Sequence, residues 1–534
     1  MKLIESLGYH NAVCTPLMQR FLSNDKKLAS FHSGFFTNQA AKKVARHRAE
    51  GFSKEARETL VQALEKQYAQ HPSNPMRTAQ LRRLTKPNSL TVTTGHQLNL
   101  FTGPLFFWYK IIEVICMAEQ LNKEDKTHDY IPVFWMASED HDIEEINHFF
   151  LGEQKLRWDS PTSGPVGRMS TQKLKDVYHH LSHVWRNNPT AKELLQLFKT
   201  AYLNKNNLAH ATRILVDRLF GHHGLLIVDG DDPILKAQFA PHIKEELTKQ
   251  LIHKNVTNTD KQLSTAIPNY KPQVTARVIN LFYMQNDVRT RIVKNGSDYA
   301  TTDNAFSWTE AQLLKEVEQY PNHFSPNALM RPLYQETVLP NVAYVGGGGE
   351  LAYWVQLKST FDAYAVPFPL LQLRKNILLL SEKQVNKCAK LSLPLADLFL
   401  PTASFINKRV RQISDIDIDF SPQREQLRKQ FAALKDLARQ TDESFLGAVL
   451  AQEKKQLKGL DKLEKRLLKA QRLKLKDQVV RMTDMQHALF PNGILQERVA
   501  HFSAFVSDEG ISAFGENLKS CMASLPNGLS VVRL

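Results

Sequence analysis

Between about residues 89 and 385, short continuous apolar runs alternate with segments whose apolar positions repeat at helical spacing. The runs typical of buried strands are Leu90–Thr94, Ile131–Ala137, Leu225–Asp229, Arg277–Tyr283, Val342–Val345 and Phe368–Leu373. The clearest helical segment opens at Pro104 and is apolar on nearly all sides as far as Leu121. Continuous apolar strands that alternate with helices are typical of a parallel sheet covered on both faces. The pattern therefore predicts a doubly wound α/β core.

The pattern outside and within this core predicts further segments. Residues 1–88 show apolar positions at helical spacing and are predicted to form a helical lead-in to the core. The strands of the core, predicted within 89–385, are unevenly spaced. This spacing predicts insertions near 150–220 and 230–275, and a segment at 285–330 that covers the sheet edge.

Two long amphipathic helices are predicted in the C-terminal part of the chain. Their apolar residues recur every three or four positions, at Leu427, Phe431, Leu434 and Ala438 and again at Leu457, Leu460, Leu463 and Leu467. A turn at Thr441–Asp442 separates the two helices. This pattern predicts an antiparallel helical hairpin of coiled-coil type within a helical domain at 386–480. Residues 481–534 return to mixed character and are expected to rejoin the core.

The net charge of +15 indicates anionic partners. The segment Gln452–Lys476 alone carries ten Lys or Arg against three acidic residues, so nearly half of the excess lies in one predicted helix. A nucleotide, or a phosphorylated or carboxylated small molecule, is therefore favoured over a nucleic acid. The basic hairpin is expected to dimerise the protein, and a basic RNA-binding arm is the alternative.

The chain is expected to be cytoplasmic and to keep its cysteines reduced. No segment is suited to span a membrane, and the N-terminus lacks the apolar run of a signal peptide. The four cysteines are Cys14, Cys116, Cys388 and Cys521. Because they are scattered, they form no metal or redox motif and are expected to pack as small apolar groups.

Ligands of open α/β sheets bind at the carboxyl ends of the strands, and three predicted strand ends carry unusual residues. The first end is followed by a loop with two glycines that leads into a helix, an arrangement suited to a phosphate or carboxylate. Its candidate binding residues are Thr94, Gly95, His96, Gln97, Asn99, Thr102 and Gly103. A tight structural turn is the alternative interpretation.

The second strand end is acidic. Glu139, Asp140, His141 and Asp142 directly follow a buried strand. Such a cluster must be solvated, paired, or bound to a cation or an amine. The functional alternatives are Mg²⁺ binding at Asp140, recognition of an amino group, and general-base catalysis. A helix N-terminus that merely favours acidic residues is the structural alternative.

The third strand end is rich in glycine. The residues Gly346–Gly349 follow the strand directly, as expected where backbone lies against a ligand. The candidate residues are Tyr344, Gly346, Gly347, Glu350 and Trp354. A flexible connector is the alternative, with the aromatic residues in the core. The basic candidates for a phosphate or carboxylate are Arg277, Arg331 and Arg374.

Together, these motifs resemble those of the cysteine-adding enzyme family of bacillithiol biosynthesis. The stretches that carry the resemblance are Thr94–Gln97 with Thr102–Leu105, Val133–Trp135 with Glu139–Asp142 and Glu145–His148, and Arg331–Pro340 with Tyr344–Gly347 and Gly349–Trp354. The resemblance spans roughly residues 5–534. It implies a Rossmann-like core with inserted connective segments and a coiled-coil domain that forms a homodimer.

The resemblance also implies an activity, a ligase that joins cysteine to the amine of glucosaminyl-malate to form bacillithiol. Amide formation from a free carboxylate is uphill in water, so activation by ATP, with Mg²⁺, is the expected chemistry. The catalytic candidates are then His96, Gln97, Glu139, Asp140 and His141. Arg374 or Arg277 is expected to bind the malate carboxylates. Another ATP-dependent nucleotidyl or acyl transferase is the alternative enzyme, and an RNA-binding coiled-coil protein is the alternative outside enzymes.

Overall fold

The chain divides into two units, with boundaries between Leu379 and Leu380 and between Leu495 and Gln496. The structure is a computed structural model that describes residues 1–9, 14–160, 164–186, 190–203, 207–285 and 288–534. One unit consists of Met1–Leu379 together with Gln496–Leu534, and the other is Leu380–Leu495. The helical domain predicted at 386–480 lies inside the second unit.

Strands build three sheets and a separate hairpin. The strands of the described residues are β1 (Lys2–Gly8), β2 (Ser89–His96), β3 (Asp129–Met136), β4 (His148–Leu151), β5 (Gln154–Arg157), β6 (Leu226–Asp229), β7 (Leu281–Gln285), β8 (Val288–Asn295), β9 (Asp298–Thr301), β10 (Ser307–Trp308), β11 (Phe324–Pro326), β12 (Asn341–Gly346), β13 (Leu370–Leu373), β14 (Asn376–Leu380) and β15 (Leu529–Arg533).

Helices make up most of the remaining regular structure. They are α1 (Pro16–Leu22), α2 (Asn38–Gly51), α3 (Lys54–Tyr68), α4 (Pro75–Leu84), α5 (Phe106–Glu124), α6 (Ile143–Ile146), α7 (Leu174–Val184), α8 (Ala191–Tyr202), α9 (Leu208–Phe220), α10 (Pro233–Lys249), α11 (Leu251–Ala266), α12 (Glu310–Gln319), α13 (Arg331–Val338), α14 (Gly348–Val355), α15 (Lys358–Ala363), α16 (Glu382–Lys390), α17 (Thr402–Ile413), α18 (Ser421–Ala438), α19 (Glu443–Lys474), α20 (Lys476–Leu489) and α21 (Gly510–Ser524). Among the described residues, none of these helices is long and apolar enough to cross a membrane.

The central sheet is parallel throughout, in the order β13-β12-β2-β3-β6. Numbered by their sequence within this sheet, the strands run 5-4-1-2-3, which is the strand order of dinucleotide-binding Rossmann folds. The predicted doubly wound α/β core is thus confirmed. Its topological switch point lies between β2 and β12, because the chain proceeds from there toward opposite edges of the sheet.

One of the six predicted strands, Arg277–Tyr283, is wrong as part of this sheet. The observed strand is β7, and it belongs to an antiparallel sheet of order β10-β9-β8-β7-β11. Arg277 precedes β7 in an exposed, irregular segment. There the Asn280 side chain accepts a hydrogen bond from the backbone N–H of Arg277 and donates one to its carbonyl oxygen. Such local side-chain bonds compete with strand pairing.

The lead-in predicted as helical contains α1–α4 but begins with strand β1. This strand pairs antiparallel with β15, which in turn pairs with β14, so the two ends of the chain share a sheet. β1 is mostly exposed and shows no apolar alternation that would have predicted it. Its pairing partner lies at the opposite end of the sequence.

The predicted insertions have structure of their own. The region 150–220 contains the β4–β5 hairpin and helices α7, α8 and α9, and 230–275 contains α10 and α11. The segment 285–330 supplies most of the antiparallel sheet. Parts of these predicted regions, namely 161–163, 187–189, 204–206 and 286–287, lie outside the described residues.

Two buried arginines of the lead-in helices fix the strands on either side of the switch point. Arg57 donates to the carbonyl oxygens of Pro87 and Ser89, at 2.7 and 2.6 Å, where β2 begins. Arg48 donates to the carbonyl oxygens of Glu336 and Leu339, just before β12. Bonds of this kind satisfy buried carbonyls that would otherwise lack a donor. They also hold the starts of both strands in place.

In the second unit, α18 and α19 form the predicted antiparallel hairpin. Their shared core contains Phe431, Ala438 and Val449. Ion pairs also join the helices, with Lys435 Nζ at 2.5 Å from Glu453 Oε2 and Arg424 Nε at 2.9 Å from Asp461 Oδ1. Position 424 pairs with 461 and position 435 with 453, as antiparallel helices require.

Glu336, which lies in α13 shortly before β12, should make the free energy of unfolding depend on pH. Its buried carboxyl accepts bonds from the amides of Gln335 and Asn341, each at 2.8 Å. Burial raises the pKa of Glu336 to about 7, although Arg48 counteracts it. A carboxyl pKa raised by folding stabilises the protein below its unfolded pKa, and this contribution is lost as pH rises through the folded pKa.

We therefore expect the unfolding free energy of the natural protein, relative to that of Glu336→Gln, to fall by about 2 kcal/mol between pH 5 and 8. Urea unfolding of both proteins across this range measures the difference. The control is Glu58→Gln, at an exposed position. This variant keeps Glu336, so its unfolding free energy should follow that of the natural protein across the whole pH range. A constant difference between the natural protein and Glu336→Gln would contradict the prediction.

Candidate functional site

Polar residues from all five parallel strands meet at the carboxyl edge of the central sheet. They follow the strands in the order of the sheet, as Arg374, Gly346–Glu350, His96–Gln97, Ser138–His141 and Asp229–Asp232. Parallel strands end at the same edge, which is where open α/β sheets bind ligands. Two groups can be distinguished, a switch-point cluster between β2 and β12 and an acidic cluster beyond β3 and β6.

The switch-point cluster is built around an ion pair between Lys110 of α5 and Glu350 of α14. Lys110 Nζ lies 2.9 and 2.7 Å from the two carboxylate oxygens of Glu350 and also donates to the carbonyl oxygen of Gly95. The Tyr344 hydroxyl and the Gly347 N–H donate to the same carboxylate, at 3.0 and 2.9 Å. Burial alone would raise the pKa of Glu350, but Lys110 and the Gly347 N–H outweigh it and lower the pKa to about 2. Glu350 is therefore ionised.

Arg331, at the start of α13, adds a second cation to this cluster. Its guanidinium lies 5.9 Å from the centre of the Tyr344 ring and donates to Gln335 Oε1 at 2.9 Å. A Cβ at position 95 would stand 3.4 Å from Arg331 Nη1 and 3.3 Å from the Tyr344 hydroxyl. Glycine at this position thus lets the backbone of β2 approach both groups closely.

On the other side, His96 and Arg374 flank the ring of Phe106. The imidazole of His96 stacks on that ring at 5.0 Å, and the Arg374 guanidinium carbon lies 5.1 Å from its centre. Arg374 is buried and forms two bonds with Glu497, at 2.6 and 3.1 Å. Burial, followed by the charge of Lys110, lowers the pKa of His96 to about 3, so its imidazole is neutral.

Two nitrogens in this cluster lack a hydrogen-bond partner among the described residues. They are Nε2 of His96 and Nε of Arg374, both buried. A Cβ at Gly347 would stand 3.8 Å from that Arg374 nitrogen, which places it beside the glycine-rich end of β12. Buried polar atoms are nearly always hydrogen-bonded in native proteins. These two nitrogens are thus suited to an anionic or carbonyl oxygen of a ligand.

Other predicted residues of the first loop maintain its shape. Thr94 Oγ1 donates to the carbonyl oxygen of Val345 at 2.8 Å and so ties β2 to β12. Thr102 is buried and accepts from Trp108 Nε1 at 3.2 Å. Gly103 has φ +59°, and a Cβ there would stand 2.7 Å from that of Asn99. The described contacts of these residues are those of a tight turn.

The acidic cluster is paired internally. Lys236 of α10 lies 2.5 Å from Glu139 Oε1 and 3.4 Å from Asp231 Oδ1. Arg168 contacts the carboxylate of Asp231 through two bonds, at 2.6 and 2.8 Å. Burial raises the pKa of Glu139, an effect that Lys236 only partly offsets. The Ser138 hydroxyl donates to Asp229.

Sequence reasoning missed Asp229, Asp231 and Lys236. For the two aspartates the signal was present, since Asp229-Gly230-Asp231-Asp232 ends a predicted strand just as Glu139–Asp142 does. The rule that marked the other strand ends applies equally to this one.

Gln97 links the two clusters. Its amide nitrogen donates to Asp140 Oδ2 and to Glu145 Oε2, each at 2.7 Å. The other oxygen of Asp140 accepts from the backbone N–H of His141 at 2.7 Å. Arg289 Nη1 lies 2.7 Å from His141 Nδ1. Burial and then the charge of Arg289 lower the pKa of His141, so this imidazole is also neutral at pH 7.

These contacts bear on the predicted Mg²⁺ site. Glu139 is already held by Lys236, so it is a poor metal ligand here. Asp140 and Glu145 both accept from the Gln97 amide, which brings two carboxylates together. One or two carboxylates are what Mg²⁺ commonly takes from a protein when substrate phosphates supply other ligands. Asp140 and Glu145 therefore suit a Mg²⁺ ion.

The remaining candidates lie elsewhere. Trp354 is buried, with its ring 4.5 Å from that of Tyr344, and so packs in the core beneath the switch-point cluster.

All four cysteines are free. Burial raises the pKa of the Cys14 and Cys388 thiols to about 11 and that of Cys116 to about 12. These thiols are neutral at pH 7, which does not favour a nucleophilic role.

Two family models match nearly the whole chain. "Bacillithiol biosynthesis BshC, N-terminal Rossmann-like domain" covers residues 2–375, and "Bacillithiol biosynthesis BshC, C-terminal coiled-coil domain" covers 377–533. The chain belongs to the BshC family. This confirms both the resemblance seen in the motifs and the combination of a Rossmann-like core with a coiled coil.

Curated relatives agree with this BshC assignment. A protein of Flavobacterium johnsoniae is 44% identical over 92% of this chain and 93% of its own length. One of Christiangramia forsetii is 44% identical over 93% of each chain. A more distant relative from Bacillus cereus is 26% identical over 81% of this chain and 82% of its own. Each bears the name "Putative cysteine ligase BshC".

The pair of Lys110 and Glu350 should be strongly coupled in this BshC protein. Their side chains are 3% and 29% exposed, so removing one charge leaves the other poorly solvated. In a double-mutant cycle with Lys110→Met and Glu350→Gln, we expect a coupling of about 2 kcal/mol in the free energy of unfolding by urea.

The matched control is the exposed pair Lys54 and Glu58, whose side chains are 81% and 61% exposed. Its coupling in an equivalent cycle should stay below about 0.5 kcal/mol. Equal coupling in the two cycles would show that the switch-point pair contributes no more than a surface contact.

Proposed function

We propose that this protein is a ligase that forms an amide between the carboxyl group of cysteine and the amine of glucosaminyl-malate. The name of its relatives, cysteine ligase, supports the donor and the reaction class. The acceptor and the product, bacillithiol, rest on the motif resemblance and are in keeping with the pathway that the family description names. The observation that carries the proposal is the switch-point cluster of charged groups, at the place where Rossmann-like sheets bind ligands.

In this proposal, ATP activates the cysteine carboxylate. ATP and carboxylate are both anionic, and the switch-point cluster offers the guanidinium groups of Arg331 and Arg374 with the neutral imidazole of His96. In the tautomer protonated at Nε2, His96 joins Arg374 Nε as an unpartnered donor for an oxygen of a phosphate or an acyl group. Donors preorganised in this way stabilise charge that develops during the reaction.

Asp140 is the proposed partner of the acceptor amine. Glu139 and Asp231 already pair with Lys236, whereas the described hydrogen bonds of Asp140 come from the neutral Gln97 amide and from two backbone N–H groups. A carboxylate that is held by neutral donors can bind an ammonium group without displacing an existing cation. Gln97 then places the amine next to the switch-point cluster, where the acyl group would lie.

The proposed reaction has two steps. An oxygen of the cysteine carboxylate bonds to the α-phosphorus of ATP and pyrophosphate leaves. The amine nitrogen then attacks the acyl carbon, the bond from that carbon to AMP breaks with its electron pair going to AMP, and the amine proton passes to Asp140 or water. Mg²⁺ would accompany the nucleotide and neutralise charge on its phosphates. Arg277, exposed ahead of β7, stays a candidate for the malate carboxylates.

The test is a mass-spectrometric assay of the purified protein with cysteine, glucosaminyl-malate, ATP and Mg²⁺. We expect bacillithiol together with AMP, and no product when ATP is omitted. Formation of ADP in place of AMP would still support a ligase, but it would show that the cysteine carboxylate is phosphorylated instead of adenylated. Nucleotide turnover without bacillithiol would favour a transferase with another acceptor. Absence of both products would overturn the proposal.

Asp140→Asn should lower the ligation rate about 100-fold or more, because the amide lacks the charge that binds and deprotonates the amine. The matched control is Asp142→Asn, an exposed neighbour that should keep nearly full activity. Rates are measured by product formation at saturating ATP over a range of Mg²⁺. Restoration by excess Mg²⁺ would assign Asp140 to the metal instead of the amine, and an unchanged rate would remove the acidic cluster from the reaction.

The helical hairpin is proposed to join two copies of the chain. Its helices α18 and α19 expose large apolar side chains, with exposed fractions of 43% to 68%, at Leu434, Leu437, Phe445, Leu450, Leu463 and Leu473. Exposed apolar residues on amphipathic helices are typical of coiled-coil interfaces. The basic residues of α19 are the observation behind the RNA-binding alternative, but they do not account for these apolar side chains.

Light scattering should give a mass of about twice 61.0 kDa for the natural protein. Exchange of Leu463 and Leu473 for Asp should reduce the mass to that of one chain, because charge at the interface opposes burial. Val278→Asp, also at an exposed apolar position, serves as the control and should stay dimeric. A natural protein of single-chain mass would contradict the proposed dimer.

A further inference from the structure

A second cluster of polar side chains lies away from the carboxyl edge, where His222, His223 and Glu516 meet. The two histidines belong to the turn Gly221–His223 that follows α9, and Glu516 lies on α21. Nε2 of His222 is 3.1 Å and Nε2 of His223 is 3.3 Å from the same carboxylate oxygen, Oε1 of Glu516. Among the described residues, this is the one group of three His, Cys, Asp or Glu side chains whose possible metal-ligand atoms all lie within 4.8 Å of one another.

The two separations between Glu516 and the histidines are close to those of ligands around one metal ion, and the donor atoms of the two histidines lie within 4.8 Å of each other. Zinc binds imidazole nitrogen and carboxylate oxygen at about 2.0–2.2 Å in tetrahedral geometry, which places neighbouring donors about 3.4 Å apart. The measured distances from Glu516 to the two histidines differ from this by only a few tenths of an ångström. Small side-chain rotations would therefore suffice to admit an ion. Two imidazoles and one carboxylate are a donor set that suits zinc and related metals.

The turn that carries the histidines is held firmly. It ends at Gly224, whose φ is +75°, and a Cβ there would stand 2.5 Å from Gln80 Nε2. His223 is only 11% exposed, so its ring has little freedom. The nearby Lys519 of α21 pairs with Glu119 at 2.7 Å, which offsets its repulsion of a bound cation. A site on packed elements requires little reorganisation to bind its ion.

A cavity adjoins the cluster. It has a volume of about 700 Å³, and both His222 and His223 line it. Trp108, Phe220 and Ile511 give it an apolar wall. This volume is within the range of small-molecule sites. Three protein ligands leave at least one coordination position of a four-coordinate metal for water or for a donor group of a molecule in this cavity.

We propose that His222, His223 and Glu516 form a binding site for a divalent transition-metal ion of the Zn²⁺ type, with an open coordination position at the cavity. The site is separate from the carboxyl edge, and its existence does not depend on the ligase activity. An ion bound there would cross-link the end of α9 to α21.

The test is titration of the purified full-length protein, first freed of metal with a chelator, with Zn²⁺ in competition with a chromophoric chelator. We expect one equivalent to bind, and His222→Ala or Glu516→Gln to weaken this binding at least about 100-fold. The changed side chains are 50% and 48% exposed, so both variants should fold. The control is His242→Ala, which removes the histidine of a two-residue pair with Glu245 and should leave binding unchanged.

Cobalt provides a second readout that does not involve activity. Co²⁺ bound to the natural protein should give the visible absorption of a four-coordinate ion, and Glu516→Gln should lose it. Absence of stoichiometric Zn²⁺ binding, or binding of equal strength in the natural protein and both variants, would overturn the proposal. The cluster would then be an ordinary hydrogen-bonded group of two histidines and a glutamate.

Discussion

The ionised carboxylate of Glu350 is the group on which the carboxyl edge of the sheet depends. It receives Lys110 from α5, the Tyr344 hydroxyl from β12 and the Gly347 N–H from the start of its own helix. Because Lys110 also bonds the carbonyl oxygen of Gly95, one carboxylate holds together both strands that flank the switch point. The buried charge of Lys110 is tolerated there only because Glu350 and the Gly95 carbonyl oxygen satisfy it.

This arrangement determines the electrical character of the site. Glu350 balances Lys110, Glu497 balances Arg374, and burial keeps His96 neutral. In the proposed reaction, an anionic substrate would therefore meet groups that are already fixed in place, and little of its binding energy would be consumed in ordering them. Beyond Gln97, the ion pairs of Lys236 with Glu139 and Asp231 likewise hold the side chains of the acidic cluster in place.

Sequence reasoning was successful where the information is local. The run Ile131–Ala137 is continuous and apolar, and the observed strand β3 covers most of it. β1 was missed because its stability comes from pairing with β15 at the other end of the chain. Arg277 was misplaced because the side chain of Asn280, which no apolar pattern reveals, bends the backbone just before β7.

For the site, the strand-end rule identified Glu350 and Asp140 but not Lys110, the cation that fixes Glu350. Its signal was a charge inside a helix that is apolar nearly all round, since such a charge must be paired. Glu113 lies on the same helix and has its own partner in Lys375, at 3.6 Å. Charged residues within an otherwise buried helix therefore indicate a site as well as the polar residues at strand ends do. In this chain, both kinds of signal lead to one edge of the sheet.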